Sequence, residues 1–141
     1  MIYIDTSVLA AIYIPERWSQ AAENLLASQN VRVISNLVEV EMHSAVARRL
    51  RMREIKRDEA SSIVRKFEAD LESLIYQRLE IGEPDWAAAK KLLDRFDAPL
   101  RTLDALHLAL ALTNELRLVT SDRRLAKSAR SLKIDFQFLG A

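Results

Sequence analysis

The chain has 141 residues, 50% of them hydrophobic, with 21 basic and 20 acidic side chains and a net charge of +1. That length fits a single domain over residues 1–141 with a sizeable core, and so even a charge balance argues neither for nor against a nucleic-acid partner. With no cysteine and only two glycines, Gly82 and Gly140, the chain excludes disulfides, thiolate metal sites, cysteine nucleophiles and Gly-rich phosphate loops.

The opening segment, MIYIDTSVLAAIYIPE, carries an acid early and no basic stretch before its apolar residues, unlike a signal peptide. No apolar run reaches the roughly 18–20 residues of a membrane span. A reducing cytoplasm is the expected compartment for a chain without cysteine. Ile2–Asp5 reads as a short buried strand, followed by helical patterns over Thr6–Tyr13 and Trp18–Ala27. Val31–Ser35 is a second strand, with helices expected over Leu37–Met52 and Arg57–Ser73. A third strand falls at about Ile75–Ile81, and Pro84–Phe96 is a helix with proline in its first turn. Helix Thr102–Glu115, strand Leu116–Thr120, helix Asp122–Leu132 and strand Phe136–Leu139 complete the chain, which has no repeat, linker or low-complexity tract. Short apolar strands alternating with helices predict an α/β fold, a three-layer α/β/α sandwich around a mostly parallel five-stranded sheet. Ligands of such sheets bind beyond the carboxyl ends of the strands, where the strand order reverses.

Asp5 ends the first strand and Asp122 follows the fourth, so both can face one crevice. Each is equally suited to capping the helix that follows. Asp104 lies just inside a helix for which Thr102 is a plausible N-cap, and an acid there suits the helix dipole. That helix continues Ala105, Leu106, Leu108, Ala109, Leu110, Ala111, Leu112, apolar nearly all round. It should therefore be buried, and a charge at its start then needs a partner or a metal. At about 100° per residue, Leu37, Val38, Met42 and Ala45 form one apolar stripe. Glu41 falls inside the stripe, whereas Glu39 lies on the far side with His43 and Leu50, as an ordinary solvated acid.

Four carboxylates facing one crevice repel each other unless a hard divalent cation relieves them. Mg²⁺ and Mn²⁺ prefer such oxygen ligands, and the arrangement suits phosphodiester hydrolysis. No Ser-His-Asp or Cys-His arrangement competes with this reading.

At these positions the chain resembles a PIN domain over nearly its whole length. Ile4-Asp5-Thr6-Ser7-Val8-Leu9 resembles the first acidic motif of that family, and Ser35 with Glu41 six residues later resembles the second. Leu103-Asp104-Ala105-Leu106-His107-Leu108-Ala109 resembles the third and most specific, and Val119-Thr120-Ser121-Asp122-Arg123 the fourth. The resemblance implies a metal-dependent ribonuclease with Asp5, Glu41, Asp104 and Asp122 as catalytic and metal-binding residues around Mg²⁺ or Mn²⁺. It also implies hydrolysis that leaves a 5′-phosphate. The short length resembles the VapC toxins, which implies a homodimer, an RNA substrate and a small cognate VapB-type antitoxin as partners.

Other features are open to two readings. Ser7 and Thr120 either hydrogen-bond a ligand acid or cap locally. The basic run Arg48, Arg49, Arg51, Arg53, Lys56 and Arg57 either guides RNA or is a solvated helix end, the second being favoured. Arg123, Arg124, Lys127 and Arg130 lie nearer the proposed site. His107 is expected to be buried and hydrogen-bonded, His43 to be on the surface, and Trp18 and Trp86 to pack on helix faces. Helices Thr6–Tyr13 and Trp18–Ala27 are candidate partner surfaces, although core packing explains much of their pattern. An aspartyl phosphotransferase of the haloacid-dehalogenase type would want a second Asp two positions after Asp5, where Ser7 stands. A receiver domain would want an acidic pair and a late lysine that are not evident. A non-catalytic binding module on the same scaffold would be marked by loss of an acid, and none is lost.

Overall fold

In the computed structural model, which describes residues 1–140, Ile2–Ile4 forms β1, the central strand of a five-stranded sheet. Ala141, the last residue of the expected domain, lies outside the described residues. β2 (Arg32–Ser35) and β4 (Arg117–Thr120) flank β1, with β3 (Gln77–Leu79) and β5 (Phe136–Phe138) outermost, in the order β3-β2-β1-β4-β5. Every pairing is parallel. The strand order reverses between β1 and β4, so the carboxyl ends of those two strands flank the switch point.

Helices α1 (Thr6–Tyr13) and α2 (Ser19–Ala27) lead from β1 to β2, and α3 (Asn36–Arg51) and α4 (Arg57–Glu72) from β2 to β3. Helices α5 (Glu83–Asp94) and α6 (Thr102–Thr113) carry the chain back past β1 to β4, and α7 (Arg123–Ser131) joins β4 to β5. Right-handed crossovers place α1 to α4 on one face and α5 to α7 on the other. In keeping with this, α1 packs on α2 and α3, α3 on α4, and α5 on α6. Among the described residues, no helix is long and apolar enough to cross a membrane.

The core is made by the three inner strands: Tyr3, Ile4, Val33, Ile34, Leu118 and Val119 are all at most 1% exposed. Helix α6 is buried from Asp104 through Ala111, as its apolar sequence predicts. The expectation of five buried strands fails at the edges. Gln77 and Arg78 of β3 are exposed, and β5 is only half-buried. A strand at a sheet edge has a neighbour on one side only, and the apolar residues near β3 do not reveal that position. Helix starts also differ in detail. Arg101, not Thr102, occupies the cap position of α6 and makes no side-chain cap bond. Helix α2 begins at Ser19 rather than Trp18. Of the candidate partner surfaces, α1 buries Val8, Leu9, Ala11 and Tyr13 in the core, whereas α2 buries only Ala22 and Leu26. Trp86 does not pack fully on its helix face either, remaining 46% exposed.

Candidate active site

A crevice of about 400 Å³ opens beyond β1 and β4, and Asp5, Glu41, Asp104 and Asp122 all line it. The four acids come from four separate segments of the chain, the ends of β1 and β4, the second turn of α3 and the first turn of α6.

Asp5 is the most deeply set, at 3% exposure. Its Oδ1 accepts the Ser7 hydroxyl at 2.6 Å and the Val8 amide at 3.2 Å, which caps α1. Its Oδ2 accepts the Thr120 hydroxyl at 2.5 Å. Thr120 Oγ1 in turn accepts the Asp122 amide at 3.0 Å, and Ser7 Oγ accepts the Ser121 amide at 2.9 Å. Two hydroxyls therefore tie the β1 acid to the loop after β4. For Ser7 and Thr120, holding an acid of the crevice is the reading that the geometry bears out. Burial pushes the Asp5 carboxyl above its ordinary range, against the pull of the Ser7 and Thr120 hydrogen bonds and the charge of His107.

Glu41 reaches the crevice because it shares a helix face with buried Val38 and Met42. Its Oε1 accepts from Thr6 Oγ1 at 2.8 Å and from His107 Nε2 at 2.6 Å. His107, 4% exposed, meets the Tyr3 hydroxyl at its Nδ1 at 2.8 Å, and that hydroxyl meets Ser35 Oγ at 2.8 Å. Ser35 also accepts the Val38 amide at 3.2 Å, capping α3. Whether neutral as the Nε2–H tautomer or fully protonated, His107 donates to Glu41 from Nε2. Burial raises the Glu41 carboxyl, but the hydrogen bond and charge of His107 outweigh it and the net shift is downward. Burial likewise works against a charge on His107, yet the Glu41 hydrogen bond and the charges of Glu41, Asp5 and Asp104 hold it above its ordinary value. The Tyr3 hydroxyl is pushed far up by burial.

Asp104 and Asp122 are held more loosely. Asp104 faces Arg101 at 3.4 Å, and that arginine is 62% exposed along its side chain. Asp122 Oδ1 accepts the amides of Arg124 at 2.8 Å and Leu125 at 3.3 Å, capping α7. Capping and a place in the crevice thus coexist in both Asp5 and Asp122.

Glu39 corrects one sequence expectation. Its side chain is 17% exposed, less than the 24% of Glu41, and it binds the Arg78 guanidinium at 3.0 and 2.6 Å instead of lying in solvent. Both acids are half-buried and both have basic partners; only Glu41 lines the crevice. His43 is on the surface with Glu68 at 2.8 Å, as expected. Tyr3, Thr6 and Arg101 were not singled out by sequence reasoning. The signal for Tyr3 was available, since a phenol in a buried strand must find a hydrogen-bond partner.

The donor set fits a hard divalent cation. Asp5 is a buried carboxylate whose partners among the described residues are two hydroxyls and an amide, and the charge of His107 acts on it. Among the described residues, no three acidic or imidazole side chains already converge on one point in a ligating arrangement. Each acid is instead engaged by a donor of the chain itself. Mg²⁺ takes only one or two carboxylates directly and fills its other positions with water, so a tighter cluster is not required.

A parallel sheet in this order, with an acid-lined crevice at its switch point, defines an α/β protein with an anionic cleft. The family model of the PIN domain matches residues 2–131, and the chain belongs to that family. Solved structures share its fold. FitAcB from Neisseria gonorrhoeae is 18% identical over 96% of both chains, with a TM-score of 0.74. VapC20 of Mycobacterium tuberculosis, a sarcin–ricin-loop-cleaving toxin, is 21% identical over 91% of this chain and 95% of that one, with a TM-score of 0.71. VapBC2 from Rickettsia felis, bound to a promoter DNA fragment, is 19% identical over 98% of both chains, with a TM-score of 0.70. At such identities the likeness is one of fold. No curated protein matches the chain by sequence.

Proposed function

We infer that this protein is a divalent-metal-dependent endoribonuclease and the toxin half of a toxin–antitoxin pair, working as a homodimer. The observation that carries the reading is the meeting of Asp5, Glu41, Asp104 and Asp122, from four segments, in one crevice at the switch point. Membership of the PIN family and a fold shared with toxins such as VapC20 support it.

Asp5, Glu41, Asp104 and Asp122 would hold Mg²⁺ or Mn²⁺. The ion would supply charge for the phosphate and a lowered pKa for the attacking water. The remaining residues position. Ser7 and Thr120 fix both oxygens of Asp5. Thr6 and His107 fix Oε1 of Glu41, which lines the crevice. Hydrolysis would leave a 5′-phosphate, in keeping with the family resemblance. The test is RNA cleavage by the purified protein with Mn²⁺, with Asp5→Asn as control. Cleavage by the wild type alone supports the reading, and equal cleavage by both would place the chemistry elsewhere.

The regulatory half of the proposal rests on charge. A crevice lined by four carboxylates is a receptor for an arginine fork from an antitoxin, which would pair with the acids and exclude the metal. Expression of this chain alone should arrest growth, and coexpression of the small protein encoded beside its gene should restore it. Normal growth with folded, nuclease-active protein would remove the toxin assignment and leave the nuclease.

A further inference from the structure

A second concavity lies beside the crevice, between the outer side of α7 and the end of β5. It measures about 490 Å³ and is lined by Arg123, Ala126, Lys127, Arg130 and Phe138, with no acid among them. At about 100° per residue, positions 123, 127 and 130 fall on one helix face. Lys127 and Arg130 have no carboxylate partner among the described residues, whereas Arg78, Arg95 and Arg117 are each paired with an acid. The Arg130 guanidinium lies 5.6 Å from the centroid of the Phe136 ring instead.

The groove and the crevice share a helix. Leu125 lines the crevice and its neighbour Ala126 lines the groove, so the first turns of α7 wall both. Phe138 stands in register with Thr120, whose hydroxyl holds Asp5. Parallel strands are spaced by about 4.8 Å, so two spacings put the Phe138 backbone about 10 Å from Asp5. That is the distance of a neighbouring nucleotide. Gly140 lies close against the Phe138 ring, since a Cβ there would sit 2.6 Å from two of its carbons.

The electrostatics call for such a surface. A crevice of four acids repels the phosphates that flank a scissile bond, and a net charge of +1 supplies no general attraction. Affinity for a polyanion must then come from cations close to the crevice and outside it. An aromatic ring among those cations can stack only on a base that is free of its own helix.

We propose that the α7–β5 groove is a subsite for single-stranded RNA, in which Lys127 and Arg130 take backbone phosphates and Phe138 stacks a base next to the cleavage position. The proposal rests on the nuclease reading for its ligand class, and its test is separable from that reading. Binding of a short, unstructured, fluorescein-labelled RNA is measured by anisotropy on the full chain carrying Asp104→Asn, without divalent metal, across a salt series. Lys127→Gln/Arg130→Gln should weaken binding by about tenfold or more and reduce the salt slope by about 1.4, the share of two phosphate contacts on a single strand. Phe138→Leu, which keeps apolar bulk, should cost about tenfold with little change in slope. Arg48→Gln/Arg51→Gln, an equal loss of charge at the end of α3, should leave binding near that of the parent.

Equal affinity and slope in the groove variants and the parent would overturn the proposal. So would an equal loss in the α3 control, which would mean that overall charge alone binds RNA. Unchanged RNA binding together with release of an acidic protein partner would assign the face to that partner and overturn it as well. A protein that binds RNA through the groove but never cuts it would sink the nuclease reading and leave the groove standing.

Discussion

Asp5 and Asp104 line the same crevice and are held in opposite ways. Asp5, at the inner wall, is bound at both oxygens by buried hydroxyls that tie β1 to the loop after β4. Asp104, also buried at 9%, has one contact at 3.4 Å with an arginine that is mostly in solvent. Glu41 belongs with Asp5 through Thr6 and His107, and Asp122 with Asp104, its amide partners being those of a helix start. The difference shows how a site can be prepared before an ion arrives. Asp5 and Glu41 are held by side chains from other segments of the chain, whereas Asp104 and Asp122 are held by donors at the starts of their own helices.

On that division, the largest effects come from Asp5 and Glu41. Asp5→Asn or Glu41→Gln should lower RNA cleavage by roughly a thousandfold or more, the scale of several kcal/mol of charge stabilisation. Circular dichroism should show the fold intact. A fully active Glu41→Gln would remove Glu41 from the site. The hydroxyls behind Asp5 come next. Thr120→Val leaves the shape of β4 but frees Asp5 Oδ2, and should lower Mn²⁺ affinity and cleavage by about 10- to 100-fold. Parent-like values for both would mean that Asp5 needs no such support.

Arg101→Gln sharpens the comparison from the other side, since it should act in the opposite direction on metal. Arg101 competes with a cation for Asp104, and an exposed pair is worth under about 1 kcal/mol. Its loss should tighten Mn²⁺ binding by about two- to fivefold in a calorimetric titration. Weaker binding would show that Arg101 supports the site. The smallest effect belongs to Glu39→Gln. Cleavage should stay within about twofold of the parent, and stability should fall by about 1 kcal/mol or less as the Arg78 pair is lost, read by chemical denaturation. An inactive Glu39→Gln would reverse the assignment of the two glutamates.

Much of this was legible because local signals and global fold agree. The apolar runs at Ile2–Ile4 and Leu118–Val119 mark inner strands, and the near-continuous apolar run after Asp104 marks a buried helix. The stripe on α3 separates Glu41 from Glu39, since that depends only on the helical period. The same argument could not foresee that Glu39 would be covered, because Arg78 arrives from β3, a strand 39 positions away. Nor could it foresee β3 as an exposed edge, which depends on strand order. The Glu41–His107–Tyr3–Ser35 chain was hidden for the same reason: the Tyr3 to His107 bond spans 104 positions. His107 was legible as a buried, hydrogen-bonded histidine, but not as the group that orients Glu41.

The central claim is that these carboxylates form one metal site, and calorimetric titration of Mn²⁺ tests it most directly. The wild-type chain should bind the ion and gain thermal stability with it, since a ligand bound only by the folded state stabilises that state. The double variant Asp5→Asn/Asp104→Asn, one acid from each pair, should lose both the binding heat and the gain. Equal Mn²⁺ affinity in the two proteins would contradict the account.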